Sequence, residues 1–294
     1  MDSVNKLIKN KVSFENFDKF AVIIGSSPSK NARSPILWNA AFKANNLNFA
    51  MLPLDVTKEN LNEVIEILDT NKKFIGGSVT IPYKSDLADL LKNNLTYEAK
   101  EIGAINCIFR DKNYNLIGTN TDGEASISSF KKKFGSIKNK NILLLGLGGA
   151  GKAVLIYFLK EIENGKIFVS TLNKRKFGKF KKFENLVFIN WEDKNEIMSK
   201  VDIIINCTSL GFDKQLDKTP LSYSSLKMLK KTCVVFDIIY NPLRTKFLKF
   251  SEQIGLKTMN GLEMNLLQAV IAFNYAVKSS LSKITKKAME EVKL

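Results

Sequence analysis

Residues 141–153, NILLLGLGGAGKA, decide the fold. The uninterrupted apolar run from Ile142 to Leu145 leads straight into Gly146, Gly148, Gly149, Ala150 and Gly151, and the helical stretch AVLIYFLKEI follows. A strand that is apolar throughout is buried on both faces, as in a parallel sheet. The turn after it needs glycine because a Cβ would block tight reversal and close approach to a pyrophosphate, whose charge then rests on the amides of the helix N-terminus. A glycine string alone is equally a plain tight turn. The strand before it and the helix after it make it a dinucleotide-binding unit. The next strand, KIFVST, runs into Leu172-Asn173-Lys174-Arg175 without the acidic residue that would hold an adenosine ribose 2′-hydroxyl. Lys174 and Arg175 would instead attract a 2′-phosphate, so NADP is expected over NAD; the other reading is ordinary solvated charge in a lysine-rich chain.

Outward from this unit the same alternation recurs. FAVII (20–24) stops at Gly25 and a Ser/Pro-rich loop, and Pro35 opens the amphipathic stretch ILWNAAFKANN. FAMLPLDV is followed by a segment in which Leu61, Val64, Ile65 and Leu68 recur at helical spacing. Downstream come FIGGSVTIPYK, a helix near 85–92, AINCIF, the turn DKNYN and LIGTNTDG, then the buried runs DIIINCT and CVVFDII and a terminal helix over 261–277. The chain reads as α/β, with a boundary between 122 and 140.

With 294 residues and 45% hydrophobic content, two domains can each bury a core. No apolar run approaches the roughly 18 to 20 residues of a membrane helix. The N-terminal segment lacks a secretory pattern, so a cytoplasmic enzyme is expected. Cys107, Cys207 and Cys233 lie far apart in apolar stretches, as packing thiols do. The chain has no histidine, which excludes His triads, His metal sites and a His general base, so acid–base work falls to Lys, Asp, Glu, Tyr or Cys. The net charge of +16 is spread beside abundant Asn and Ile, as a compositional bias would leave it, and no nucleic-acid motif accompanies it.

Several phrases, in order over nearly the whole length, resemble the shikimate dehydrogenases: ARSP (32–35), SVTIPYK (78–84), GAINCI (103–108), GTNTDG (118–123), GLGGAGKA, NKR, INCTSLG (205–211), FDIIYNP (236–242) and NGLEMNLLQA (260–269). The resemblance implies a substrate-binding catalytic domain over 1–121 plus 262–294, a Rossmann NADP domain over 122–261, and a C-terminal helix packing back on the first. It implies NADPH-dependent reversible reduction of 3-dehydroshikimate to shikimate without a metal, by a monomer or homodimer with no nucleic-acid or membrane partner. Lys84 and Asp122 become the catalytic pair. Hydride delivery to a ketone builds negative charge on oxygen, and without histidine a lysine is the natural proton donor. Ser34 and Tyr240 would hold the substrate carboxylate, while Ser78, Thr80, Asn106, Asp122 and Gln268 would engage ring hydroxyls. Asn206, Thr208 and Ser209 would contact the cofactor, with Gly261 and Met264 bordering the nicotinamide.

Two departures fall on the substrate. The family's Ser-x-Ser-Pro has Ala32 at its first serine here, leaving Ser27 or Ser29 to fold back in its place, and Ser78 stands where asparagine is common. Quinate or a related polyhydroxy acid is therefore an alternative substrate, and a cofactor-binding regulatory protein on the same fold is the non-enzymatic one.

Overall fold

The computed structural model describes residues 1–172, 178, 180, 182–278 and 282–292. Two compact units form: Met1–Thr121 with Leu266–Leu294, and Asp122–Asn265. The first contains, in order, α1 (Asp2–Leu7), β1 (Lys19–Gly25), α2 (Pro28–Asn31), α3 (Ser34–Ala44), β2 (Phe49–Asp55), α4 (Leu61–Thr70), β3 (Phe74–Val79), α5 (Lys84–Leu90), α6 (Tyr97–Ile102), β4 (Cys107–Arg110) and β5 (Leu116–Thr119). The second contains α7 (Asp122–Phe134), β6 (Ile142–Leu145), α8 (Gly149–Glu161), β7 (Ile167–Ser170), β8 (Leu186–Ile189), β9 (Ile203–Asn206), α9 (Tyr223–Lys227), β10 (Val234–Asp237), α10 (Lys246–Gln253) and β11 (Lys257–Met259). The helix α11 (Leu262–Val277) starts in the second unit and ends in the first, where α12 (Ser282–Glu290) follows.

The first unit's sheet has the order β2-β1-β3-β4-β5, with β1 parallel to β2 and β3, and β4 antiparallel to β3 and β5. Both faces are covered, which is why β1 is apolar almost throughout. On one face Val22 and Ile24 of β1 pack with the α4 stripe Leu61, Val64, Ile65 and Leu68. On the other, Ala21 and Ile23 meet Trp38 of α3 and Phe273 of α11, whose rings lie edge to face at 5.3 Å. The apolar pattern of the sequence closes with the helix ending at residue 277. Beyond it α12 packs on α3, burying Met289 completely through an otherwise lysine-rich, amphipathic stretch.

In the second unit all six strands run parallel in the order β11-β10-β9-β6-β7-β8. Counted from β6 this is the doubly wound arrangement of a dinucleotide-binding sheet, and the strand order reverses between β6 and β9. A ligand of such a sheet lies beyond the carboxyl ends of the two strands at the reversal. Those ends carry GLGGAGKA and INCTSLG. The α/β expectation holds, and no helix among the described residues is long and apolar enough to cross a membrane.

Candidate active site

Three of the sequence phrases are locked together in the first unit around Asn106, which is 2% exposed. Its Nδ2 donates to Thr121 Oγ1 at 3.0 Å and to Gln268 Oε1 at 3.2 Å, and its Oδ1 accepts the Thr121 amide at 2.7 Å. Thr121 Oγ1 in turn donates to the Gln268 carbonyl at 3.1 Å. The Asn106 carbonyl accepts the Val79 amide at 2.7 Å, and the Lys84 carbonyl accepts the Ile105 amide at 2.8 Å. Asn120 Nδ2 donates to the Ala104 carbonyl at 3.0 Å, which makes it a brace for the loop. Thr121 sits in the NTDG phrase, yet its linking role was not read from the sequence, because its partner Gln268 is 147 residues away.

The other predicted substrate residues cluster on the same unit. Ser34 is the first residue of α3 and is buried, and Thr80, half-buried, donates its amide to Ile24 at 2.9 Å. Ser78 lies on β3 opposite Cys107 with 3% exposure, and its buried hydroxyl has no hydrogen-bond partner among the described residues. An unpaired buried hydroxyl costs about 1–3 kcal/mol, so the fold alone does not account for a serine there. Lys84 is the first residue of α5, where a cation meets the positive end of the helix dipole. Ser27 and Ser29 do not replace the hydroxyl missing at Ala32. Ser29 binds the Asp55 carboxylate through its amide at 2.9 Å and its hydroxyl at 2.5 Å, and Ser27 Oγ donates to the Ser26 carbonyl at 2.7 Å.

In the second unit Asp122 opens α7, a carboxylate at the positive end of a helix, with 5% exposure. Gly146 adopts φ +92°, a conformation that favours glycine, and a Cβ there would lie 2.8 Å from Thr208 Cγ2. The two turns at the reversal therefore pack against each other. Gly148 caps α8 with φ −75° and ψ −169°, ahead of Gly149 and Ala150 in its first turn. Among the described residues a Cβ on Gly148 would meet nothing within 4 Å, so they form an open cradle at a helix N-terminus, which fits a pyrophosphate. Asn173, Lys174 and Arg175 lie outside the described residues.

The 206–210 turn is organised from within. Asn206 is fully buried: its Oδ1 accepts the Thr208 amide at 3.0 Å and the Thr208 hydroxyl at 2.7 Å, and its Nδ2 donates to Asp237 Oδ1 at 3.0 Å. Its side chain is thus committed to the protein, and the expectation that it touches cofactor is withdrawn. Thr208 is half-buried and Ser209 exposed, its hydroxyl accepting from Gln215 Nε2 at 2.9 Å. Tyr240 is half-buried and directly follows Gly261's partner: the Gly261 amide donates to the Ile239 carbonyl at 2.9 Å, and a Cβ on Gly261 would fall 1.9 Å from the Ile238 carbonyl oxygen. Met264 is buried in the first turn of α11. Burial, together with the Asp237 and Asp122 charges, pushes the Cys207 thiol well above its ordinary range, so it stays protonated and packs.

A sequence model of the shikimate dehydrogenase substrate binding domain matches residues 23–108. The chain is 34% identical over 265 residues to the shikimate dehydrogenase (NADP(+)) of Methanococcus vannielii, covering 87% of this chain and 91% of the relative. Its fold is similar to the crystal structure of shikimate dehydrogenase from Aquifex aeolicus, with a TM-score of 0.81, 30% identity and coverage of 96% and 100% of the two chains. It is equally similar to a shikimate dehydrogenase crystallised in complex with NADP+, with a TM-score of 0.80, 32% identity and coverage of 93% and 95%.

Proposed function

The chain belongs to the shikimate dehydrogenase family, and from that premise we propose that Lys84 and Asp122 manage the proton in its reaction. The enzyme is an NADP-dependent oxidoreductase that interconverts 3-dehydroshikimate and shikimate, a step of aromatic amino-acid biosynthesis. Similarity to enzymes of that name over most of the chain favours shikimate over the quinate alternative.

The first unit binds the substrate and the second binds the dinucleotide, which when bound supplies or accepts the hydride. Gly148, Gly149 and Ala150 hold its pyrophosphate at the N-terminus of α8, and Thr208, Ser209, Gly261 and Met264 line the rest of its path. Asn173, Lys174 and Arg175 select the 2′-phosphate. Ser34 and Tyr240 bind the substrate carboxylate. Ser78, Thr80, Asn106 and Gln268 hold the ring hydroxyls. As negative charge grows on the 3-keto oxygen, the Lys84 ammonium stabilises it and donates its proton, leaving an alcohol; in reverse the Lys84 amine takes that proton back. The Asp122 carboxylate accepts a hydrogen bond from the substrate.

The observation that carries this reading is the Asn106 network. It fixes the Lys84 carbonyl through Ile105 and clamps Thr121, the residue directly before Asp122. The enzyme works in the cytoplasm, in keeping with its three unbridged, buried cysteines, as a monomer or homodimer without nucleic-acid or membrane partners. The test is a substrate panel: NADP reduction by shikimate should exceed that by quinate, and NAD should be the poorer acceptor. Faster turnover with quinate, or preference for NAD, would overturn the assignment.

A further inference from the structure

Three loops of the second unit converge on one carboxylate that no step above uses. Asp237 ends β10, is 0% exposed, and accepts hydrogen bonds from three sides. Asn206 Nδ2 reaches Oδ1 at 3.0 Å, the Ile239 amide reaches the same oxygen at 3.1 Å, and Thr245 Oγ1 reaches Oδ2 at 2.7 Å. Through Asn206 the first contact continues to the amide and hydroxyl of Thr208, whose Oγ1 accepts the Leu210 amide at 3.1 Å. Through Ile239 the second runs to Tyr240 on one side and, by the Ile239 carbonyl, to the Gly261 amide on the other. The third anchors the carboxylate to the start of α10, which Thr245 caps.

We propose that Asp237 is a positioning residue: it fixes the amide orientation of Asn206 and thereby the Thr208–Leu210 turn, and it separately fixes the Ile239–Tyr240 segment. The proposal rests on the reading that the first loop meets the cofactor and Tyr240 meets the substrate. A carboxylate is the group the arrangement calls for, since all three partners donate. An aliphatic side chain would leave the Ile239 amide and the Thr245 hydroxyl proton without an acceptor in the interior, and would leave Asn206 Nδ2 only its longer contact to the Leu210 carbonyl at 3.4 Å. Burial of a charge is costly and pushes this carboxyl up to about 6, while the hydrogen bonds from Thr245, Ile239 and Asn206 pull it down. A fold needing only a filled core would place an apolar residue there.

The two branches make the proposal separable from a general role in stability. In the full-length enzyme Asp237→Ala should raise KM for NADP and KM for shikimate by about tenfold or more each, the loss expected for one hydrogen bond to a charged group. Asn206→Ala cuts only the first branch, so it should raise KM for NADP and leave KM for shikimate unchanged. Asp237→Asn keeps an oxygen facing Asn206 and Ile239 while Thr245 turns to accept, so it should restore both constants to within about threefold of the parent enzyme. A drop in thermal midpoint with both KM values unmoved in Asp237→Ala overturns the proposal, as does a rise in both in Asn206→Ala. Should Asp237→Ala fail to fold, Asn206→Ala and Asp237→Asn decide alone. Gly148→Ala leaves the relay intact and reports on the cofactor reading. If it leaves KM for NADP unchanged, that reading has failed; if it raises KM while the relay variants do not, the positioning proposal has failed.

Discussion

Gly148→Ala separates what the fold needs from what a ligand needs. The backbone at Gly148, φ −75° and ψ −169°, is one that alanine adopts without strain, and a Cβ there would have no neighbour within 4 Å among the described residues. Replacing glycine at such a position removes freedom from the unfolded chain and should stabilise the protein by about 0.4–1 kcal/mol. The same methyl would occupy the space in which a pyrophosphate lies against the amides of α8, an overlap worth about 1–3 kcal/mol. That converts to a loss of NADP affinity of about 5- to 150-fold. The variant should therefore melt slightly higher and bind NADP much more weakly, measured by thermal unfolding without ligand and by cofactor titration. Gly151→Ala is the contrast, because its Cβ would fall 2.3 Å from the Gly146 carbonyl oxygen and should cost stability and affinity together. Unchanged NADP affinity in a well-folded Gly148→Ala enzyme would refute the assignment of this turn.

Ser78→Ala removes a buried hydroxyl that has no partner among the described residues, so thermal stability should hold or rise while KM for shikimate increases about tenfold; a parallel fall in stability would show that the hydroxyl serves the fold. Joint replacement of Lys174 and Arg175 by alanine should cut the preference for NADP over NAD by at least about tenfold, and an unaltered ratio of kcat/KM values would remove both from the 2′-phosphate site. The folded-state value of Asp237, about 6, is raised above its ordinary 3.8, so its contribution to stability is present in full below pH 3.8 and is lost as pH climbs through 6. Across that window the wild type should lose about 3 kcal/mol relative to Asp237→Asn in denaturant titrations, and a flat difference would mean that the carboxyl titrates outside it.

The six-stranded parallel sheet was legible because strands buried on both faces spell out their apolar runs, as ILLL and IIIN do. The glycine turn was legible because backbone geometry there excludes other residues. Short or polar elements were not: β11 has only three residues, and α12 shows its buried side only once α3 is placed beside it. Long-range hydrogen bonding hid the rest. Asn206 looked like a ligand contact because its partner, Asp237, lies 31 residues on, and Ser29 looked available because Asp55 is 26 residues away on a neighbouring strand. Residue type and spacing place a polar side chain near a site, and only the tertiary partner shows whether it faces the ligand or the protein.

The role of Lys84 is tested most directly by the rate at which Lys84→Ala reduces NADP with saturating shikimate. Loss of the proton-transferring group should lower kcat by about 10²–10⁴-fold, with KM for NADP and the thermal midpoint close to those of the parent enzyme. Undiminished turnover in that variant would contradict it.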